Sequence, residues 1–354
     1  NYKAQKKSKE QVPILEFREE CREFTEKWMN IQKEEFQQLG VFGDWENPYL
    51  TMSKDFEAQI VKELQSVFMN GSLYKGLKPV QWSVVEKTAL AEAEVEYLEK
   101  KSPSIYVKFP LSAKDPEKFQ CMSVVIWTTT PWTLPANRAI AYNPEVTYVA
   151  INTETQGKLL LAEPLLEKFC QTLGLESFTE LFKIQGKELE GLKAFHPLRN
   201  LGYDFDIPLL PGSHVTMDQG TGFVHTAPSH GVEDFLLGQE YELEVPNLVG
   251  DDGVYHDHVP LFGGHHIFKS NDKVIEAIKK EGFLLFNTTI LHSYPHSWRS
   301  KAPLIFRATT QWFISMENNN LRKKALKCVE EIKWFPSQGK NRLKAMIEDR
   351  PDWC

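Results

Sequence analysis

Two short segments hold most of the side chains able to do chemistry. The first is Trp127-Thr128-Thr129-Thr130-Pro131-Trp132-Thr133-Leu134-Pro135-Ala136-Asn137, which follows an apolar, strand-like run. It sets four hydroxyls, an amide and an exposed indole on a loop stiffened by two prolines. Hydroxyls at such a place can donate to and accept from a ribose or an ester, and Trp132 can stack on a base. A threonine-rich turn at a sheet edge has the same composition. The second is Gly220-Thr221-Gly222-Phe223-Val224-His225-Thr226-Ala227-Pro228-Ser229-His230-Gly231-Val232-Glu233-Asp234-Phe235. Here a glycine-flanked strand delivers His225 and His230 to a bend, and Glu233 and Asp234 fall in the first turn of a following helix. Acidic residues there complement the helix dipole. A carboxylate held at such a junction is equally a receptor for an ammonium group, and a nearby imidazole can orient water or wall off a pocket.

Other groups fall away when weighed. His256, His258, His265 and His266 have no Cys or carboxylate at a ligand spacing, so they read as loop histidines and no metal is expected. Ser297 and Ser300 stand at a CxxC spacing without thiolates. No GxxxxGK[ST], GxSxG or HExxH sequence occurs, which removes the common nucleotide triphosphatase, α/β esterase and zincin signatures. A hydrolysis performed here would use a positioned water rather than a covalent intermediate.

The elements that must position these segments follow from periodicity. Ile14, Phe17, Cys21, Phe24, Trp28 and Ile31 recur at steps of three and four and predict an amphipathic helix; Phe56, Ile60, Leu64 and Phe68 predict a second, stopped by Asn70-Gly71. Near 79–103 the pattern changes to period two, at Ala93, Val95 and Tyr97 and then Ile105, Val107, Phe109 and Leu111, with strand-like runs at 121–127, 146–151, 158–161 and 222–226. Helical stretches at 164–173 and 272–280 interrupt them, and Gly282 closes the second. Strand candidates at 303–306 and 311–315 precede a basic helix at about 320–332. The whole predicts an irregular β-barrel with helical decoration.

The chain has 354 residues, 42% hydrophobic and 25% charged, a composition that excludes wholesale disorder and fibrous repeats and suggests two or three domains. No window approaches the run of about 18 apolar residues needed to cross a bilayer, so no membrane partner is expected. Five scattered cysteines fit a reducing compartment. The net charge of −7 argues against a polyanionic partner, but Arg322, Lys323, Lys324, Lys327, Lys333, Lys340, Arg342 and Lys344 form a local basic run. Such a run is ordinarily a solvated helix face and less often a nucleic-acid contact. The termini, opening at Asn1 without Met and stopping at Cys354, read as cuts within a longer protein.

Taken together and in this order, the two segments resemble the editing domain inserted in class I aminoacyl-tRNA synthetases. The Thr128-Thr129-Thr130-Pro131 form is similar to the isoleucine branch, where the valine and leucine branches carry arginine before the proline. The resemblance continues through Gly43-Asp44-Trp45, Lys78-Pro79-Val80, Thr88 to Tyr97, Tyr294-Pro295-His296, Gln311-Trp312-Phe313 and Arg350-Pro351-Asp352-Trp353-Cys354, and so covers nearly the whole chain. Neither a HIGH-type nor a KMSKS-type sequence is found, so this piece is not expected to aminoacylate; ATP and Mg would serve only the full-length ligase. The resemblance implies an α/β and β architecture. Residues 1–82 would be a helical part of a split Rossmann catalytic domain, 83–103 connecting hinge strands, 104–290 the CP1 editing barrel, and 291–354 return strands and a basic helix.

It also implies roles. Asp234 would bind the α-ammonium of a misattached amino acid, and Thr133 and His225 would line its side-chain pocket. Thr128, Thr129, Thr130 and Asn137 would hold the terminal ribose and ester, with Trp132 beside the adenine. Ala227 and His230 would complete the substrate site, His230 chiefly as structure. The partners implied are the acceptor end of tRNA(Ile), its valine ester and the rest of the synthetase, in a monomer, with no cofactor for editing. A mitochondrial matrix is the expected setting, with a bacterial cytoplasm as the alternative. A non-catalytic tRNA-binding support that has lost editing is the alternative.

Overall fold

The computed structural model describes residues 11–112 and 116–354. In chain order its elements begin with α1 (Ile14–Gln38), α2 (Lys54–Met69), β1 (Leu73–Ser83), β2 (Thr88–Ala89), β3 (Val95–Pro110) and β4 (Met122–Thr128). They continue with β5 (Ala139–Tyr142), β6 (Thr147–Thr153), β7 (Gly157–Ala162), α3 (Leu166–Leu173), β8 (Thr179–Gln185), β9 (Lys193–Phe195) and β10 (Asp206–Pro211). The last are β11 (Phe223–Thr226), α4 (Val232–Glu240), α5 (Ile267–Lys280), β12 (Leu284–Ser297), β13 (Ile305–Ile314), α6 (Leu321–Glu331) and α7 (Gln338–Glu348).

The chain divides into two compact units, Asn1–Tyr74 with Phe313–Trp353, and Lys75–Trp312 with Cys354. The described part of the first unit is helical. In α2, the Ser53 hydroxyl accepts from Phe56 N and Asp55 and Glu57 sit in the first turn, the arrangement that satisfies and complements a helix start. The apolar stripe of α1 leaves Phe24 and Trp28 exposed, and no residue of α1 or α2 is buried. In α6 and α7, Lys327 pairs with Glu331 on its own helix, Arg322 with Glu317 just before it, and Lys340 and Lys344 share Glu330 across the two helices, so half of the basic run has a glutamate partner.

The second unit is built on a six-stranded sheet in the order β12-β3-β4-β7-β6-β8. Alternate residues of its strands (Tyr106, Val125, Val149, Ile151, Leu159 and Leu161) form one buried face, covered by Phe169 and Cys170 of α3. The opposite face, with Val124, Ile126, Ala150 and Leu160, is fully buried as well. Strands β4 and β7 are covered on both sides and accordingly read as continuous apolar runs. A four-stranded sheet, β11-β5-β10-β9, lies with β11 against β4. Both sheets stay open, with β12 and β8 as the edges of one and β11 and β9 of the other. The helically decorated β unit is therefore mixed α/β without ring closure. A small sheet, β13-β1-β2, completes the topology.

Two differences from the sequence expectation have physical reasons. Strand β12 pairs with β3 continuously from Leu284↔Val107 to Ser297↔Val95, a long antiparallel ribbon. Its middle, residues 287–289, is exposed on both faces, so no hydrophobic alternation announces it there, whereas Tyr294, His296 and Ser297 at its end are buried. The two short strand candidates at 303–306 and 311–315 are one strand, β13. Its polar middle includes Arg307, which is buried because its Nε donates to Val249 O and its guanidinium pairs with Asp251.

Candidate active site

The first segment leaves β4 at Thr128 and closes at once into a tight turn over Pro131–Ala136, in which Thr133 N donates to Thr130 O and Asn137 N to Leu134 O. The exposed loop expected here is instead buried throughout. Its outward backbone groups are taken up by distant residues. Tyr255 Oη donates to Trp132 O, Trp132 N donates to Asn271 Oδ1 at 3.1 Å, and His196 Nε2 donates to Leu134 O at 2.9 Å. Trp132 is only 4% exposed, its ring 4.8 Å from that of His230, and it lines a neighbouring cleft on the other side of the turn. Asn137 is wholly buried, which removes it from direct contact with a ribose.

The second segment is pinned to the large sheet before it reaches the site. Thr221 Oγ1 donates to Val125 O at 2.5 Å, Ala162 N donates to Thr221 O at 2.8 Å, and Tyr148 Oη donates to Gly222 O at 2.7 Å. Gly222 has φ +79°, and a Cβ there would lie 2.2 Å from Ala162 Cβ, so only glycine allows this approach. Strand β11 is thereby fixed in height relative to β4, and His225 faces the threonine turn.

The partners of His225 assign its tautomer. The Asn137 amide nitrogen, 2.6 Å from Nδ1, can only donate, so Nδ1 accepts. Thr133 Oγ1 spends its proton on Thr130 O at 2.8 Å, so at 3.0 Å it accepts from Nε2–H. Burial, with His196 and His230 adding to it, holds the imidazole down to about 3, so it is neutral and both nitrogens are occupied. His225 therefore acts as a fixed wall that orients Thr133, and it has no lone pair to activate water.

His230 is arranged differently. Its Nδ1 donates to Phe306 O at 3.0 Å, which leaves Nε2 as a lone pair with no partner among the described residues. Burial lowers this group to about 4, so the ring is neutral at physiological pH. Of the two histidines, His230 is the one able to accept a proton or hydrogen bond from water.

Asp234 sits in the first turn of α4, and its Oδ2 turns back to accept from Ala227 N at 2.8 Å. A Cβ on the preceding Gly231 would come within 2.9 Å of that oxygen, so a glycine before the helix keeps the carboxylate's place open. The second oxygen has no partner among the described residues. Burial pushes the carboxyl up to about 6, opposed by the Ala227 N–H and reinforced by Glu233.

These groups line one cleft of about 240 Å³. Thr128, Thr129, Thr130 and Thr133 form one side; His225, Ala227, His230 and Asp234 form the other; Trp127 and Val224 supply apolar wall. Thr128 Oγ1 and Thr130 Oγ1 are 3.3 Å apart, whereas the Thr129 hydroxyl has no partner among the described residues. Eight of the ten residues singled out from sequence thus converge. Trp132 lines the neighbouring cleft instead, and Asn137 stands behind the wall, acting on this cleft through His225. Sequence reasoning missed Trp127 and Val224 as lining and His196, Tyr255 and Asn271 as supports. The alternation of β4 and β11 pointed to the first two, but no local signal marks the other three.

Among the described residues no three His, Cys, Asp or Glu side chains converge as a group able to hold a metal ion. His266 Nδ1 caps α5 by accepting from Phe268 N, and Ser297 Oγ donates to Glu86 Oε1. No helix among the described residues is long and apolar enough to cross a membrane.

Comparison with known proteins gives a consistent grouping. The family model described as tRNA synthetases class I (I, L, M and V) matches residues 1–354. An isoleucine–tRNA ligase of Pelagibacter ubique is 53% identical over 100% of this chain and 40% of its own length. Those of Gluconobacter oxydans and Shewanella sediminis are 48% and 50% identical over 100% and 97% of this chain. The chain spans about 40% of the length of these bacterial relatives. The crystal structure of GlLeuRS-CP1 matches with a TM-score of 0.43 at 14% identity, covering 52% of this chain and 98% of that one.

Proposed function

The chain belongs to the class I tRNA synthetases, and from that premise we propose that its β unit hydrolyses valine misattached to the acceptor end of an isoleucine tRNA. The need is physical. Valine differs from isoleucine by one methylene, worth about 1 to 3 kcal/mol in a pocket, and this pair is the usual illustration of how little a single binding step can discriminate. A second, smaller sieve removes the error after it is made.

The observation that carries the reading is the convergence on one cleft of an unsatisfied carboxylate oxygen (Asp234), an unpartnered hydroxyl (Thr129) and a neutral imidazole lone pair (His230) beside an apolar wall. Asp234 takes the α-ammonium, a charge-assisted contact that an ester without an amine cannot make. The valine side chain lies against Trp127, Val224 and the His225–Thr133 pair. Thr128, Thr129 and Thr130 hold the ribose and the ester. Water, accepted at His230 Nε2, adds to the ester carbonyl; the acyl C–O bond breaks, the ribose oxygen leaves and is protonated, and valine departs as the free acid. The protein's contribution is mostly placement, which converts a diffuse encounter into an oriented one. No cofactor enters this step; ATP and Mg belong to activation by the complete ligase, whose further segments and tRNA are its partners. Residues 1–82 and 291–354 we assign to the flanking catalytic domain, 83–103 to the hinge and 104–290 to the editing domain, in a bacterial rather than mitochondrial setting.

The test is release of amino acid from tRNA(Ile) charged with valine or with isoleucine. Loss of the valyl ester at a rate at least tenfold above that of the isoleucyl ester is expected. Loss of neither, with the tRNA bound, would identify a binding support instead.

A further inference from the structure

A second cleft, of about 290 Å³, lies on the other side of the threonine turn and shares Thr129 and Thr130 with the first. Its distinctive group is Lys100 on β3. The Lys100 ammonium lies 3.9 Å from the Tyr294 ring centroid and 4.6 Å from that of Phe268, and no carboxylate pairs with it among the described residues. Lys101 and the exposed Asp272 stand at the rim, leaving the lining one positive charge in excess. An ammonium drawn out of water onto two aromatic faces, without an anion, is costly to keep unless an anion comes to it. Burial lowers this amine accordingly.

The two clefts touch along two adjacent residues, so ligands filling both are within one covalent unit of each other. We propose that the second cleft is a phosphate subsite, in which the Lys100 ammonium takes the phosphodiester joining the esterified terminal nucleoside to the nucleotide before it. This rests on the editing reading of the first cleft and extends it to how the strand is held. Asn271 is positioned for the same strand, its Oδ1 fixed by Trp132 N and its amide nitrogen left to donate into the cleft. The aromatic collar around Lys100 excludes water and strengthens the single ion contact. It also explains why a chain of net charge −7 need not carry a broad basic surface: one desolvated ammonium placed next to the reacting ester serves the end of the strand.

The experiment compares two small substrates on the 354-residue chain: the valyl ester of adenosine, which has no phosphate, and the valyl ester of a dinucleotide ending in adenosine, which has one. The wild-type chain should favour the dinucleotide in kcat/KM by about tenfold or more, the preference shrinking as salt rises. Lys100→Met should bring the ratio of the two substrates close to one, and Lys100→Arg should restore most of it. A ratio unchanged in Lys100→Met, with both substrates still hydrolysed, would overturn the subsite while leaving the editing reading intact. Hydrolysis of neither substrate by the wild-type chain would overturn the editing reading itself. Thermal melting of both variants separates misfolding from loss of the contact, since Arg keeps the charge and the packed stem.

Discussion

Asp234→Asn is expected to lower kcat/KM for valyl esters by at least a hundredfold while making the folded chain more stable near neutral pH. The first effect follows from leaving a bound ammonium without its carboxylate in a desolvated place, a loss of about 3 to 5 kcal/mol. The second follows from the raised carboxyl. Asparagine keeps an oxygen for the Ala227 N–H but removes a charge that burial disfavours. Folded Asp234 holds its proton up to about 6, against 3.8 when unfolded. The stability it draws from protonation is therefore full below pH 3.8 and is lost as pH rises through about 6. Wild type and variant should match in melting temperature near pH 4 and separate by on the order of 1 kcal/mol at pH 7, the figure reduced for partial exposure. The same group sets the acid limb of activity: kcat/KM for the valyl ester should rise with pH through about 6, then fall as the substrate's own ammonium deprotonates near about 7.7. An Asn variant with full activity, or one destabilised at pH 7, would remove Asp234 from this role.

His225→Ala should convert a selective cleft into a permissive one. Its imidazole is held by Asn137 and in turn holds Thr133, so truncation both enlarges the space beside Val224 and frees the Thr133 hydroxyl to rotate. Discrimination that comes from steric exclusion disappears when the excluding group is removed. The expected outcome is hydrolysis of isoleucyl esters at a rate within tenfold of valyl esters, with the valyl rate itself reduced by less than tenfold, because neither His225 nitrogen is available to water. Collapse of valyl hydrolysis with specificity retained would instead make His225 a chemical participant. The measurement is the ratio of kcat/KM for the two esters of adenosine.

Much of this was legible in the chain, and the parts that were not share a cause. Buried strands such as β4, β6 and β7 announce themselves because covered faces demand apolar residues. The middle of β12, residues 287–289, does not, being solvated on both faces and held by its pairing with β3. The two chemical segments were visible as clusters of hydroxyls, histidines and a helix-start carboxylate, since residue type and order are local facts. Burial of the threonine turn was not visible, because Tyr255, Asn271 and His196, which cover it, lie 62 to 139 positions away. The resemblance made His225 a wall of the side-chain pocket and His230 chiefly structure. Hydrogen bonding adds what residue order does not carry: Asn137 and Thr133 close both nitrogens of His225, while Phe306 closes one of His230 and leaves the other open.

The central claim is that one cleft reads the amine and the side chain of an aminoacyl nucleoside together. Calorimetric titration of the chain with non-hydrolysable amide analogues of valyl-adenosine, isoleucyl-adenosine and the valine analogue lacking its amine tests this without relying on turnover. The account predicts binding of the valyl analogue, with the other two each weaker by about tenfold or more, since each loses one of the two contacts. Equal affinity for all three, or tighter binding of the isoleucyl analogue, would contradict it.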